Sequence, residues 1–244
     1  MKVVLCGYNW AGCKALDILL NRGYEVFVYT HKNPSYVNSL IEYCKKLNIQ
    51  YSTDKITIDN LPFAPDIISS VYYRYIISNE IIKLVNKKIF NLHPSLLPKY
   101  KGCGSLTWAM INGEKEVGFT FHYINIDIDT GNIILQQKIA VEEFDTQQTL
   151  YNRVMFKSME KYENALDFVL NNYIGIPQNS LQQEFYYKRG CPYNGQIHPN
   201  WDNNKIERFI RAMNFPPLPY AKLGNVEIQT MCDYLSIESS KESL

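Results

Sequence analysis

Short apolar runs alternate with segments of helical periodicity through the first 92 residues of this chain. Lys2 to Cys6 is apolar and ends at Gly7. Ala11 to Asn21 then carries Ala15, Leu16, Leu19 and Leu20 at helical spacing, and Arg22-Gly23 stops it. Glu25 to Thr30 reads as a second strand. Ser35 to Leu47 reads as a second helix, with Ile41, Tyr43 and Cys44 on its apolar side. Asp66 to Val71 follows the breaker Pro65 as another strand. Ser78 suits the N-cap of a helix running to Val85, and Ile89 to Leu92 is a further strand. Adjacent parallel strands need a crossover between them, and a helix supplies it. The alternation therefore predicts an α/β fold: a twisted, mainly parallel sheet with helices on both faces.

The pattern changes further on. Val117 to Ile124 and Ile133 to Val141 read as strands joined by the polar segment Asn125 to Asn132. Thr146 to Asn172 reads as a long helix, with Leu150, Val154, Met159, Tyr162, Leu166 and Val169 as its core side. From about Asn179 a smaller α+β region follows. It holds a strand at Gln183 to Tyr187, a helix at Asn203 to Met213, a proline-rich loop at Phe215 to Tyr220, and a strand or hairpin over Lys222 to Ser236. The expected division is a main domain over residues 1–178 and a small C-terminal region over 179–244 with a β-hairpin.

Bulk properties exclude several classes. The formal charge is +1, too small a field to announce a nucleic acid. Six cysteines occur without a C-x-x-C pair, which argues against a zinc site and suits reduced thiols in the cytosol. No metal is expected. No apolar stretch approaches the roughly twenty residues that span a bilayer, and the N-terminal apolar run is too short for a secretory signal. The chain reads as soluble and cytoplasmic.

The chemistry concentrates in Asn91-Leu92-His93-Pro94-Ser95-Leu96-Leu97-Pro98-Lys99-Tyr100-Lys101-Gly102. It begins at the carboxyl end of an expected strand, the edge of an open parallel sheet where ligands bind. Asn91 and His93 are two apart, so on extended backbone they share a side. Asp127-Ile128-Asp129-Thr130-Gly131 lies in the later inter-strand connection. A carboxylate beside a histidine fixes its tautomer and raises its basicity. Asn91, His93 and Asp129 together suit acyl transfer without a covalent intermediate. The amide donates to a developing oxyanion, and the imidazole takes a proton directly or through water. Asp-Thr-Gly also reads as a simple turn, and Asn91 as a strand-end cap.

The string Asn91-x-His93-x-Ser95-Leu96-Leu97-Pro98-x-Tyr100-x-Gly102, followed by Asp129-x-Gly131, resembles the signature of the folate-dependent formyltransferases. The resemblance covers roughly residues 1 to 175 well. It implies a Rossmann-like fold, N10-formyltetrahydrofolate as formyl donor, and Asn91, His93 and Asp129 as the catalytic set. Asp129 would orient His93 or manage the proton that reaches the folate nitrogen. It also implies a folate pocket beside the segment Ser70 to Ile77, through Val71, Tyr72, Tyr73, Arg74 and Tyr75, covered from the other side by the loop Asn125 to Asp129 with Ile126 and Asp127. Val71 to Tyr75 also reads as the plain closing of a buried strand.

The acceptor is narrowed by departures from the family's branches. Gly7-Tyr8-Asn9-Trp10-Ala11-Gly12 is not G-x-G-x-x-G, so a dinucleotide site is not expected. Tyr8 and Trp10 depart from the small-residue phosphate loop of the glycinamide ribonucleotide enzymes. They line a base or sugar pocket together with Asn9, or pack on the first helix. From Ser180 to Leu244 there are seven lysines and arginines and seven carboxylates, which argues against transfer RNA. The remaining branch acts on nucleotide-linked amino sugars, and the tail resembles it. A dTDP-linked 4-amino-4,6-dideoxyglucose is the expected acceptor. The alternatives are a 3-amino sugar nucleotide, a UDP-amino sugar, methionyl-tRNA, a formyl-folate hydrolase or a non-catalytic binding module. Formyl-folate hydrolases carry an extra N-terminal domain, whereas this chain starts on its first strand. Arg208 and Arg211 suit a pyrophosphate or a solvated helix face. Phe215 and Tyr220 suit stacking on a base, Lys99 and Arg74 lie near the expected mouth and suit a phosphate, and Gly102 is a further expected substrate contact. Surface-glycan synthesis and a homodimer built on the terminal strands are the further expectations.

Overall fold

A computed structural model describes residues 1–86, 88–179 and 186–242. The strands are β1 (Lys2–Gly7), β2 (Glu25–Tyr29), β3 (Tyr51–Ser52), β4 (Ile67–Val71), β5 (Ile89–His93), β6 (Lys101–Gly102), β7 (Glu116–Tyr123), β8 (Ile133–Ala140), β9 (Tyr186–Tyr187), β10 (Ala221–Leu223) and β11 (Val226–Ile228). The helices are α1 (Asn9–Asn21), α2 (Leu40–Leu47), α3 (Asn79–Leu84), α4 (Ser105–Ile111), α5 (Gln147–Leu170), α6 (Asn203–Met213) and α7 (Met231–Glu242). None of these helices is long and apolar enough to cross a membrane.

Seven strands form one sheet in the order β3-β2-β1-β4-β5-β7-β8. The pairs among β3, β2, β1, β4 and β5 are parallel. β5 pairs with β7 antiparallel, so the sheet is mixed and mainly parallel, as the alternation predicts. The chain groups into two compact units, each assembled from three stretches. The first takes the described residues of 1–93, 119–137 and 155–181, and the second those of 94–118, 138–154 and 182–244.

In the first unit the sheet is covered on both faces. Val3, Val4, Leu5 and Cys6 of β1 are all fully buried, so neither side of that strand meets water. Val4, Cys6, Ile68 and Ile89 share a cluster with Ile77, Ile81 and Val85, which brings α3 to one face. The neighbouring residues point the other way. Tyr162 of α5 donates its hydroxyl to Ser69 at 2.7 Å, and its ring lies 5.9 Å from Phe90. Side chains alternate along a strand, so α3 and α5 lie on opposite faces. Arg22, at the end of α1, forks onto Asp167 of α5 at 2.5 and 3.0 Å. That hydrogen-bonded guanidinium holds the Asp167 carboxyl below its ordinary range.

The second unit packs α4 against α6, and α7 against β11 and α6. Its rings form a stack that the sequence reading does not anticipate. Trp108 and Tyr187 lie 4.4 Å apart and nearly parallel, and Tyr193 meets Trp201 edge-on at 4.8 Å.

Several expected elements differ. α2 starts at Leu40 rather than Ser35, because Asn33 turns the chain through bonds to the Pro34 and Val37 carbonyls and Ser39 caps the helix. α4 has no counterpart in the periodicity: it is a seven-residue helix entered through Gly104 in the left-handed region. The hairpin over Lys222 to Ser236 is real but short, since the chain turns helical at Met231. Thr230 and Asp233 cap that helix reciprocally, with Asp233 accepting from the Thr230 amide and Thr230 Oγ1 from the Asp233 amide. Of the expected strand Gln183 to Tyr187, residues 183–185 lie outside the described residues, and Tyr186–Tyr187 pair parallel with β6.

The Tyr162–Ser69 bond joins two fully buried groups across the sheet–helix interface. Tyr162→Phe should lower unfolding stability by about 1 kcal/mol, read as a shift in urea midpoint at constant slope. An unchanged midpoint would show that the bond contributes nothing net.

Candidate active site

The site lies within the first unit, at the carboxyl ends of β4 and β5. β5 presents Asn91 and His93 on the same face as Ile89. Antiparallel register sets His122 of β7 directly opposite Asn91. Asn91 Nδ2 is 3.1 Å from His122 Nε2, and Asn91 Oδ1 accepts from the Ser70 hydroxyl at 2.7 Å. His122 Nδ1 lies 2.8 Å from the Tyr123 carbonyl oxygen.

Asp129 reaches this cluster from the connection after β7. Its Oδ2 is 3.4 Å from His93 Nδ1, and its Oδ1 is 3.5 Å from His122 Nε2. These distances are within ion-pair reach and longer than a well-formed hydrogen bond. His93 and His122 are 4% and 2% exposed, so bulk water screens little of their interaction with the carboxylate.

Local chemistry shapes the loop that delivers Asp129. Asp129 itself has φ 54°, in the left-handed region that Asp tolerates better than most residues. A Cβ on Gly131 would lie 1.8 Å from the Tyr123 carbonyl oxygen, so only glycine fits there. Gln178 donates to the Asp129 carbonyl at 2.8 Å and to the Gly131 carbonyl at 2.9 Å. The Thr130 hydroxyl lies 2.7 Å from Asn125 Oδ1 inside the loop. The carboxylate is thus placed by the backbone under it.

The remaining expected site residues fall in both units. In the first, Val71 ends β4 and is buried, and its carbonyl accepts from the Tyr8 amide at 3.0 Å. Tyr72 follows with φ 58°. The Tyr73 hydroxyl accepts from the Ile56 amide at 3.0 Å, and Arg74 lies over the Tyr75 ring at 5.4 Å. Burial pushes the Tyr8 and Tyr73 phenols up. Ile126 and Asp127 are exposed on the Asp129 loop. Tyr8 stacks on His31 with ring centroids 4.0 Å apart, Asn9 accepts from the Ala11 amide, and Trp10 meets Phe156 edge-on. In the second unit, Lys99 pairs with Glu114 at 3.2 Å. Gly102 sits where a Cβ would meet the Tyr187 carbonyl at 2.3 Å. Arg208 donates to the Ile111 carbonyl, and Arg211 to Glu207 and the Asp145 carbonyl. Phe215 packs on Tyr151 and Tyr220 is exposed. Among the described residues no group of His, Cys, Asp and Glu is arranged to hold a metal.

The sequence alone does not single out His122 or Gln178, and it places Ser70 only at the start of the expected folate segment. The spacing of His122 does carry a signal. Along Phe119-Thr120-Phe121-His122, alternation puts the aromatics on one side and the polar pair on the other. What the strand pairs with is not written in that pattern.

A family model described as formyl transferase matches residues 25–166. The GDP-perosamine N-formyltransferase of Brucella melitensis is 37% identical over 230 residues, spanning 91% of this chain and 88% of that protein. The chain belongs to the formyl transferase family, and it is a formyltransferase. Two solved structures share its fold closely. One is WlaRD, a sugar 3N-formyltransferase crystallised with dTDP and 5-N-formyl-THF (TM-score 0.82, 26% identity, 94% of this chain and 85% of that one). The other is the N-formyltransferase from Helicobacter canadensis in complex with folinic acid and dTDP-3-aminofucose (TM-score 0.82, 26% identity, 94% and 86%). These relatives lie in the nucleotide-sugar branch, the one this sequence resembles.

Gly131→Ala should displace the loop that carries Asp129. Formyl transfer is expected to fall about a hundredfold, with far-UV circular dichroism unchanged. A wild-type rate would show that the loop's position does not matter to turnover.

Proposed function

We propose that this enzyme transfers the formyl group of N10-formyltetrahydrofolate to the amino group of a nucleotide-linked amino sugar, dTDP-4-amino-4,6-dideoxyglucose. The observation that carries the reaction is the convergence of Asn91, His93 and Asp129, with the His93 ring 3.4 Å from the carboxylate. In this reading the sugar amine attacks the formyl carbon, and Asn91 donates to the oxyanion that develops. His93 takes the amine proton, directly or through water, while Asp129 stabilises the resulting imidazolium. Collapse breaks the bond from the formyl carbon to the folate nitrogen, and that nitrogen takes up a proton. Val71 to Tyr75 and the exposed Ile126 and Asp127 would bind the folate. Tyr8, Asn9 and Trp10 would meet the acceptor.

A second acceptor is favoured by a specific observation. The Brucella relative at 37% identity is named for GDP-perosamine, so a GDP-linked amino sugar is the competing substrate. Purified protein incubated with the folate donor and each nucleotide sugar separates the two by mass spectrometry. The expected product is heavier than the dTDP sugar by one formyl group. Formylation of the GDP sugar alone would move the assignment to that base. No product from any nucleotide-linked amino sugar would remove the proposal. His93→Asn should lower turnover at least about a hundredfold with nucleotide binding retained.

The β10–β11 hairpin has β11 at its edge, since β10 also bridges Gln196 through Lys222. A second copy pairing on that edge would satisfy its open backbone groups. Light scattering should therefore give about twice the chain mass of 28.4 kDa, and a monomer mass would contradict the pairing.

A further inference from the structure

We propose that His122 and Ser70 are positioning residues that lock the side-chain amide of Asn91, with His122 held as the neutral tautomer protonated at Nδ1. The proposal rests on the reading of Asn91 as the donor to the reacting carbonyl.

The assignment follows from what each atom can do. The Tyr123 carbonyl oxygen only accepts, and it lies 2.8 Å from His122 Nδ1. Nδ1 therefore carries a proton. In the neutral ring Nε2 is then a bare acceptor, whereas an imidazolium would turn its Nε2 proton to Asp129 Oδ1, 3.5 Å away. The terminal atom of Asn91 at 3.1 Å from Nε2 must be its NH2 group. The other terminal atom is the carbonyl oxygen, and it takes the Ser70 hydroxyl at 2.7 Å. The His122 contact selects this orientation, and the Ser70 hydroxyl, which can donate or accept, fits it. A flipped amide would set its oxygen against the Nε2 lone pair. One Nδ2 hydrogen is used on His122, and the second is left to donate to a substrate carbonyl.

Burial makes the lock strong. Ser70 is 5% exposed and His122 2%, so water does not compete for either partner. The three residues come from three adjacent strands, β4, β5 and β7, in direct register: Ser70 beside Asn91, and Asn91 opposite His122. A donor held this way pays no reorganisation when the oxyanion forms, which is where an amide contributes most to rate.

Two measurements on the full chain test this. The first is long-range proton–nitrogen NMR of histidine-labelled protein, with the His122 signal assigned by its loss in His122→Phe. A neutral ring protonated at Nδ1 is expected. An imidazolium, or a ring protonated at Nε2, overturns the assignment, because Nε2 could then not accept from Asn91. The second is kinetic. His122→Phe and Ser70→Ala should each lower kcat about tenfold or more, with KM for both substrates moved less than about threefold. His122→Gln, which can place an oxygen near the Nε2 position, should recover most of the rate. In an Asn91→Ala background the same two changes should cost less than about threefold, since the group they position is gone. Equal losses in both backgrounds would mean that the residues support the fold and not the amide. If the wild-type protein formylates no amino sugar, the proposed function fails while the NMR result still judges the tautomer.

Discussion

The antiparallel pairing of β5 with β7 is the constraint on which the site depends. It sets His122 against Asn91 and sends the chain directly into the loop that brings Asp129 beside His93. A slip of one residue would turn Phe121 toward Asn91 and bury His122 among Phe90 and Tyr162. That slip is opposed by the aromatic layer itself. Phe119 and Phe121 are fully buried, and Phe121 lies 6.1 Å from the Tyr162 ring. The same alternation that fills the core on one face therefore fixes the polar cluster on the other.

Backbone contacts hold the loop that carries Asp129. The Asp129 carboxylate hangs from a left-handed residue, in a loop that approaches the β7 strand too closely for any residue but glycine at 131. Gln178 then holds two carbonyls of that loop from a segment far along the chain. Such support matters for acyl transfer. Under the proposed reaction, groups fixed where charge develops lower the barrier without first having to be ordered. The buried imidazoles raise the stakes, because a misplaced charge at low dielectric is costly.

The second unit meets its demands differently. Arg211 and Arg208 spend hydrogen bonds on Glu207 and on the carbonyls of Asp145 and Ile111, which ties α6 to its surroundings. Spacing on a helix face does not show which partners such guanidinium groups take within the protein. The aromatic stack around Trp108, Tyr187, Tyr193 and Trp201 likewise takes up two of the chain's 19 tyrosines, which composition alone cannot place.

The amino-acid sequence by itself carried the strand–helix alternation that makes β2, β1, β4 and β5 parallel neighbours, though not β3, and the motif that singles out Asn91, His93 and Asp129. Each is encoded locally, in the period of apolar residues or in a motif whose members keep fixed spacing. Tertiary structure alone decided that His122 and Ser70 close on Asn91, that Gln178 clamps the Asp129 loop, and that β7 enters the sheet antiparallel beside β5. Those facts depend on which distant strands become neighbours. Periodicity tells which face a side chain takes, whereas long-range hydrogen bonding and core packing choose what stands across from it. The helix at Met231 lies between these cases: Thr230 and Asp233 are a legible cap, yet the β-branched residues before them pull the same stretch toward a strand until packing on β11 and α6 settles it.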